Sequence, residues 1–95
     1  MNHMAYATKV ESKHTARIAC RIIPSASAIG TVASIRNLRE AVEGIAEKHQ
    51  IGGECDGKNG FYIAEFESDT SAELVKHAAR DLVRFLERRK DYAAG

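Results

Sequence analysis

The chain has little of several residue types that mark large classes of protein. Its 95 residues include no tryptophan, one proline and two cysteines. Two cysteines are too few for the disulfide framework of a small secreted domain, and Cys20 and Cys55 lack the Cys-x-x-Cys spacing of many metal and redox sites. We therefore expect both cysteines to be reduced and buried in strands, in a cytoplasmic protein.

Long apolar runs are also missing. No stretch approaches the roughly 18–20 consecutive apolar residues that a membrane span requires, and the first residues lack the apolar segment of a secretory signal. We expect no contact with a membrane. Residues 1–3 resemble a cloning remnant, and we expect 4–92 to form a single domain.

The sequence has almost no excess of charge, with 14 Lys and Arg against 13 Asp and Glu. Non-specific attraction to nucleic acid should therefore be weak. Five acidic residues nevertheless concentrate between residues 51 and 69: Glu54, Asp56, Glu65, Glu67 and Asp69. At 44% hydrophobic residues the chain can form one small core, and a second molecule that covers an exposed apolar face would add stability. We expect a homo-oligomer.

Hydrophobic alternation predicts the strands. Residues 14–23 alternate with period two, which is typical of a half-buried strand. A weaker alternation predicts a preceding strand over 5–11. Further strands are expected over 51–56 and 60–67, joined by a turn over 56–60 that contains Asp-Gly and Asn-Gly.

Two apolar stripes with helical spacing predict two helices. The first stripe predicts a helix over about 34–49, with Ser34 or Thr31 as its N-cap. The second predicts a helix that begins at the capping-box pattern Thr70-x-x-Glu73 and ends near residue 90. The apolar positions of this second helix are Leu74, Val75, Ala78, Leu82, Phe85 and Leu86. The tail from Tyr92 is expected to fray.

The resulting order is (β)βαββα, which predicts an α+β fold. An antiparallel sheet with two helices on one face would make a ferredoxin-like two-layer sandwich. If 5–11 is a strand, it could occupy the sheet edge beside 14–23 that the last strand of that fold normally fills. The arrangement would then be circularly permuted.

The strand over 60–67 is apolar on both faces, although only one face can meet the helices. Either Phe61 and Ile63 or Tyr62 and Phe66 must therefore face away from them. An apolar sheet face bordered by charges is a candidate interface, and isolated exposed apolar residues are the ordinary alternative. The predicted interface residues are Arg17, Ala19, Arg21, Phe61, Ile63 and Glu65.

The second helix carries a row of basic residues at four-residue spacing: Lys76, Arg80, Arg84 and Arg88. Glu40, Glu43 and Glu47 form a complementary acidic row on the first helix, so the two rows could pair within one molecule or between two. A solvated helix face explains the basic row equally simply. Together with Arg17 and Arg21, the basic row supports a nucleic-acid-binding protein as an alternative function.

The histidines and cysteines of the chain could bind a metal or act as nucleophiles, but they show no recognised catalytic or metal-binding spacing. His77 lies between Glu73 and Asp81 at helical spacing, which explains it without chemistry. We therefore expect no catalytic residues, metal or cofactor, and interpret the protein as a small binding or assembly module that self-associates through its sheet. A small enzyme with a cleft between protomers, using His14 or Cys55, is a further alternative.

Overall fold

The computed structural model of the protein describes residues 13–94, which form a four-stranded antiparallel sheet and two helices. The elements in chain order are β1 (His14–Ile22), α1 (Ala28–His49), β2 (Gly52–Lys58), β3 (Phe61–Ser68), α2 (Ala72–Glu87) and β4 (Tyr92–Ala94). The strand order across the sheet is β2-β3-β1-β4. The predicted α+β class is confirmed, and the architecture is compatible with a two-layer sandwich.

The alternation in β1 sets which face of the sheet meets the helices. Cys20 and Ile22 are buried, whereas Arg17, Ala19 and Arg21 are exposed on the other face. Strand β1 pairs with β3 on one side and with β4 on the other. The predicted strand over 5–11 lies outside the described residues.

The hairpin between β2 and β3 turns over two residues only. Asn59 and Gly60 have φ angles of 55° and 83°, the left-handed region that a type I′ hairpin turn requires at both positions. The predicted turn over 56–60 was too wide, because β2 continues to Lys58, which pairs with Phe61. Gly57 lies inside β2, where a side chain would collide with the backbone of Phe61 and Tyr62.

Helix α1 begins two turns earlier than its apolar stripe predicts. Ser27 is the N-cap, and its hydroxyl accepts a hydrogen bond from the backbone N–H of Gly30 at 3.1 Å. The predicted caps Ser34 and Thr31 were wrong, since both lie within the helix. The first turns carry exposed apolar residues and so show no stripe. The helix ends where Gln50 adopts a left-handed conformation, directly before Ile51.

Helix α2 is capped by Ser71, whose hydroxyl accepts a hydrogen bond from the backbone N–H of Leu74 at 3.2 Å. The predicted capping box at Thr70 was therefore wrong by one residue, and the helix ends at Glu87 rather than near 90. Its buried residues are Val75, Ala78 and Leu82. Phe85 packs against the core but is only partly buried, as are Leu74 and Leu86.

The tail from Tyr92 was expected to fray, but its residues 92–94 form β4, in which Tyr92 pairs with Ile22 of β1. The Tyr92 side chain is buried among the core residues. This strand occupies the edge position beside Cys20–Ile22 that the permuted arrangement assigned to 5–11.

The core lies between the sheet and the helices. Its largest fully buried side chains are Phe66, Leu38, Leu82, Val42 and Cys20. Within residues 13–94, neither helix combines the length and apolarity that crossing a bilayer requires.

Candidate functional site on the outer face of the sheet

The sheet has an outer face that the helices do not cover, and all six predicted interface residues lie on it. The register pairs Arg17 with Glu65, Ala19 with Ile63 and Arg21 with Phe61 across β1 and β3. Phe61 and Ile63 are 60% and 46% exposed, whereas the alternative pair, Tyr62 and Phe66, is buried. The structure therefore brings these six side chains together as three adjacent cross-strand pairs.

Charge on this outer face is divided between strands. Strand β2 presents Glu54 and Asp56, which pair with Glu65 and Ile63 of β3. Strand β1 presents Arg17 and Arg21. Lys58 of β2 pairs with Phe61 on the same face, so Phe61 lies between Lys58 and Arg21, whereas Ile63 lies between Asp56 and Ala19.

One ion pair crosses the strands of the outer face. The Nε atom of Arg17 donates a hydrogen bond to Glu65 Oε2 at 3.2 Å, with 73% of the Arg17 side chain exposed. Such an exposed pair adds little to stability, because water screens it. Both groups therefore remain available to a second molecule.

The basic row of α2 is exposed, and it faces away from the sheet. Within the described part of the chain, none of Lys76, Arg80, Arg84 and Arg88 has an acidic group within 4.0 Å. The intramolecular pairing considered for this row and Glu40, Glu43 and Glu47 is absent there. Arg17 and Arg21 lie on the opposite side of the sheet, so the arginines and the basic row do not form one continuous nucleic-acid-binding surface.

The candidate catalytic groups are not assembled into a reactive pair. Cys55 pairs with Ala64, which pairs with Ile18, and His14 lies four residues further along β1. Two strand spacings and four residues place His14 about 16 Å from Cys55. Burial raises the pKa of Cys20 to about 11 and also raises the pKa of Cys55. Both thiols are free and stay protonated at neutral pH, which makes them poor nucleophiles.

His49 of α1 and Asp81 of α2 are in contact between the helices, which the spacing of residues along a single helix did not predict. Asp81 Oδ2 lies 2.9 Å from His49 Nε2 and accepts a hydrogen bond from Lys48 Nζ at 3.0 Å. His77 instead lies 3.9 Å from Glu73, with its ring centroid 6.3 Å from that of His49. Among residues 13–94, no three acidic, histidine or cysteine side chains are grouped as a metal site would need.

The Asp81 contacts predict a pH dependence of stability. Hydrogen bonds from His49 and Lys48 lower the pKa of Asp81. The Asp81 carboxylate therefore takes up a proton more readily in the unfolded chain than in the folded one. The resulting stabilisation is complete above the unfolded pKa of about 3.9 and is lost as the pH falls through the lower, folded pKa. Asp81→Asn should therefore lower the free energy of unfolding by about 1 kcal/mol at pH 7 and by less at pH 3.

Urea unfolding of the wild type and the variant at both pH values measures this difference. Asp69→Asn is the matched control, because Asp69 is exposed and forms no ion pair in the described part of the chain. An equal loss for the two variants, or a loss at pH 7 that persists at pH 3, would contradict the assignment.

A second polar cluster holds β4 against α1, and no sequence pattern indicated it. Ser34 is 5% exposed and donates a hydrogen bond from its hydroxyl to Asp91 Oδ2 at 2.7 Å. Arg89 binds the same carboxylate through two hydrogen bonds, of 3.1 and 3.2 Å. The Tyr92 hydroxyl donates to the backbone carbonyl of Ser34 at 2.8 Å. The two contacts of Ser34, with Asp91 and Tyr92, connect residues 57 and 58 positions apart.

Comparison with known proteins gives no relative from which a function could be transferred: no family model, curated protein or solved structure matches the chain.

Proposed function

We propose that the protein is a small non-catalytic binding or assembly module that forms a homodimer through the outer face of its sheet. The observation that carries this proposal is the exposure of Phe61 and Ile63 at the centre of that face, 60% and 46% respectively. An antiparallel strand with one solvated face usually alternates apolar and polar residues. Strand β3 does not alternate at this end, and a partner that covers the two side chains accounts for them.

A second copy of the chain fits the outer face because the face is complementary to itself. Each pair across β1 and β3 joins unlike residues: Arg17 with Glu65, Ala19 with Ile63 and Arg21 with Phe61. A two-fold axis parallel to these strands and between them would exchange β1 and β3 of the two copies. Arg17 would then face Glu65 of the second copy, Ile63 would face Ala19, and Arg21 would lie over the Phe61 ring in a cation–π contact.

The area of the face fits a weak, reversible contact. The four strands hold nine, seven, eight and three residues, which at about 3.4 Å per residue and about 4.8 Å between strands cover roughly 440 Å². Two such faces bury about 900 Å² in total, the size of a transient interface rather than an obligate one. Two aligned sheets pack about 10 Å apart with their side chains interdigitated, as small and large residues such as Ala19 and Ile63 allow.

The test is the mass of the protein in solution, measured by sedimentation velocity from low to high micromolar concentration. We expect a dimer for the wild type and at least about hundredfold weaker association for Ile63→Lys, whose new charge lies beside Asp56 within the monomer and so leaves the fold intact. The double variant Arg84→Gln/Arg88→Gln on α2 should dimerise normally. A wild type that is monomeric at about 100 µM would contradict the proposal, because no second copy would then cover Phe61 and Ile63.

A matched pair at Phe61 tests the position of the two-fold axis. Phe61→Lys would oppose Arg21 of the second copy, whereas Phe61→Glu would attract it. Because Phe61 also pairs with Arg21 and Lys58 of its own copy, chemical unfolding of each monomeric variant measures the intramolecular part of the effect separately. We expect the lysine variant to dissociate at least about tenfold more readily than the glutamate variant. Equal dissociation of the two would exclude this axis.

We interpret the fold as ferredoxin-like, and the strand order β2-β3-β1-β4 with helices after β1 and β3 supports this interpretation. A cytoplasmic location is supported by the two free thiols, Cys20 and Cys55.

A further inference from the structure

A shallow groove of about 660 Å³ lies between α1 and α2, away from the outer face of the sheet. Its apolar residues are Ala41, Gly44 and Ile45 of α1 and Phe85 of α2. Its charged residues are Lys48, Asp81, Arg84, Arg88 and Arg89. The groove is within the size range of sites for small ligands, which are mostly apolar with a few convergent polar groups.

The charges around the groove do not cancel. Asp81 is engaged by Lys48 and His49, and Arg89 is engaged by Asp91. Arg84 and Arg88 have no acidic group within 4.0 Å among residues 13–94. Arg84 lies in the last turn of α2 and Arg88 is its C-cap, so the two arginines place positive charge on the same wall of the groove. The negative carboxyl end of the helix offsets part of this charge.

Gly44 lies in the middle of α1, lines the groove and is exposed. Glycine weakens a helix relative to alanine. A Cβ atom added at Gly44 would have no neighbour within 4 Å, so no packing contact requires the missing side chain. A longer side chain at this position would extend over the open groove.

We infer that this groove binds a small phosphate monoester that carries an apolar or aromatic group. The guanidinium groups of Arg84 and Arg88 match the two charges of the phosphate and can each donate paired hydrogen bonds to its oxygens. The apolar group packs over Gly44 and Ile45 beside the Phe85 ring. A nucleic acid is less well matched, because a long polyanion would use the whole basic row, whereas Lys76 and Arg80 lie outside the groove.

The test titrates the full chain with three probes and follows its backbone amides by NMR. Phenyl phosphate should shift the amides of residues around the groove and bind at least about tenfold more tightly than inorganic phosphate, while phenol alone should not bind. Arg84→Gln/Arg88→Gln should weaken phenyl phosphate at least about tenfold. Lys76→Gln/Arg80→Gln removes the same charge from the same helix outside the groove and should change binding less than about twofold.

A charge-neutral variant separates the groove from general attraction to a basic helix. Gly44→Leu fills the groove, keeps every charge and replaces a helical glycine with a strong helix former. It should weaken phenyl phosphate at least about tenfold while chemical unfolding shows no loss of stability. Absence of phenyl phosphate binding at about 10 mM would overturn the inference, as would equal losses in the two double variants. The protein could instead bind single-stranded RNA, with binding unchanged in Gly44→Leu and weakened in both double variants. That result would assign the basic row of α2 to a polyanion.

Discussion

Replacing Phe66 with alanine is expected to lower the free energy of unfolding by about 3–5 kcal/mol. Phe66 is fully buried in β3, between β2 and β1. On the β2 side it is opposite Gly53, where an added Cβ would lie 3.0 Å from the Phe66 ring. Because the ring fills the space left by that glycine, its removal creates a cavity that the rigid sheet cannot close. A loss of this size is a large part of the stability of a small domain.

The same strand supplies the control for this prediction. Phe61→Ala removes an identical side chain from the outer face, where 60% of it is exposed, and should cost less than about 1 kcal/mol in the monomer. Urea unfolding of the two variants at low concentration measures the difference. If both variants lost the same stability, the assignment of the two faces of β3 would be wrong.

Replacing Tyr92 with alanine is expected to have a similarly large effect, about 3–5 kcal/mol. The ring is 5% exposed, and its centroid lies 5.6 Å from that of Phe85. Burial raises the pKa of Tyr92 to about 12, so its hydroxyl remains a donor to the Ser34 carbonyl. Removing the ring therefore removes both a core side chain and one of the hydrogen bonds that attach β4 to α1.

Tyr92→Phe distinguishes these two contributions. It keeps the ring and removes one hydrogen bond, so chemical unfolding should show a loss of about 1 kcal/mol. A Tyr92→Ala variant as stable as Tyr92→Phe would mean that the ring contributes nothing and that β4 does not pack as the structure describes.

The sequence predicts the parts of this fold that depend on neighbouring residues. Alternation in β1 is enough to assign Arg17 and Arg21 to one face, because side chains in a strand point to opposite faces in turn. The Asn59-Gly60 pair marks the hairpin, since both positions require positive φ. The predicted outer-face residues follow from these two local rules, which is why the structure places them together.

The sequence does not predict the parts that depend on distant contacts. Strand β4 is only three residues long, too short for a periodic pattern, and it is held by Ser34 and Ile22 from the other end of the chain. The first turns of α1 expose Ile29 and Val32, so the apolar stripe begins later than the helix. Ser34 was predicted as a cap because it directly precedes the stripe, but its hydroxyl binds Asp91 instead.

The position of the helices on one face of the sheet determines how a dimer could present its ligands. If the outer faces join two copies, the grooves between α1 and α2 point in opposite directions on the two sides of the assembly. One small ligand cannot occupy both grooves, and neither groove borrows residues from the other copy. The two sites would therefore be independent in affinity and could not chelate a single compact molecule. Such a dimer would instead be bivalent towards ligands displayed on two separate surfaces, joining those surfaces with an avidity that a monomer lacks.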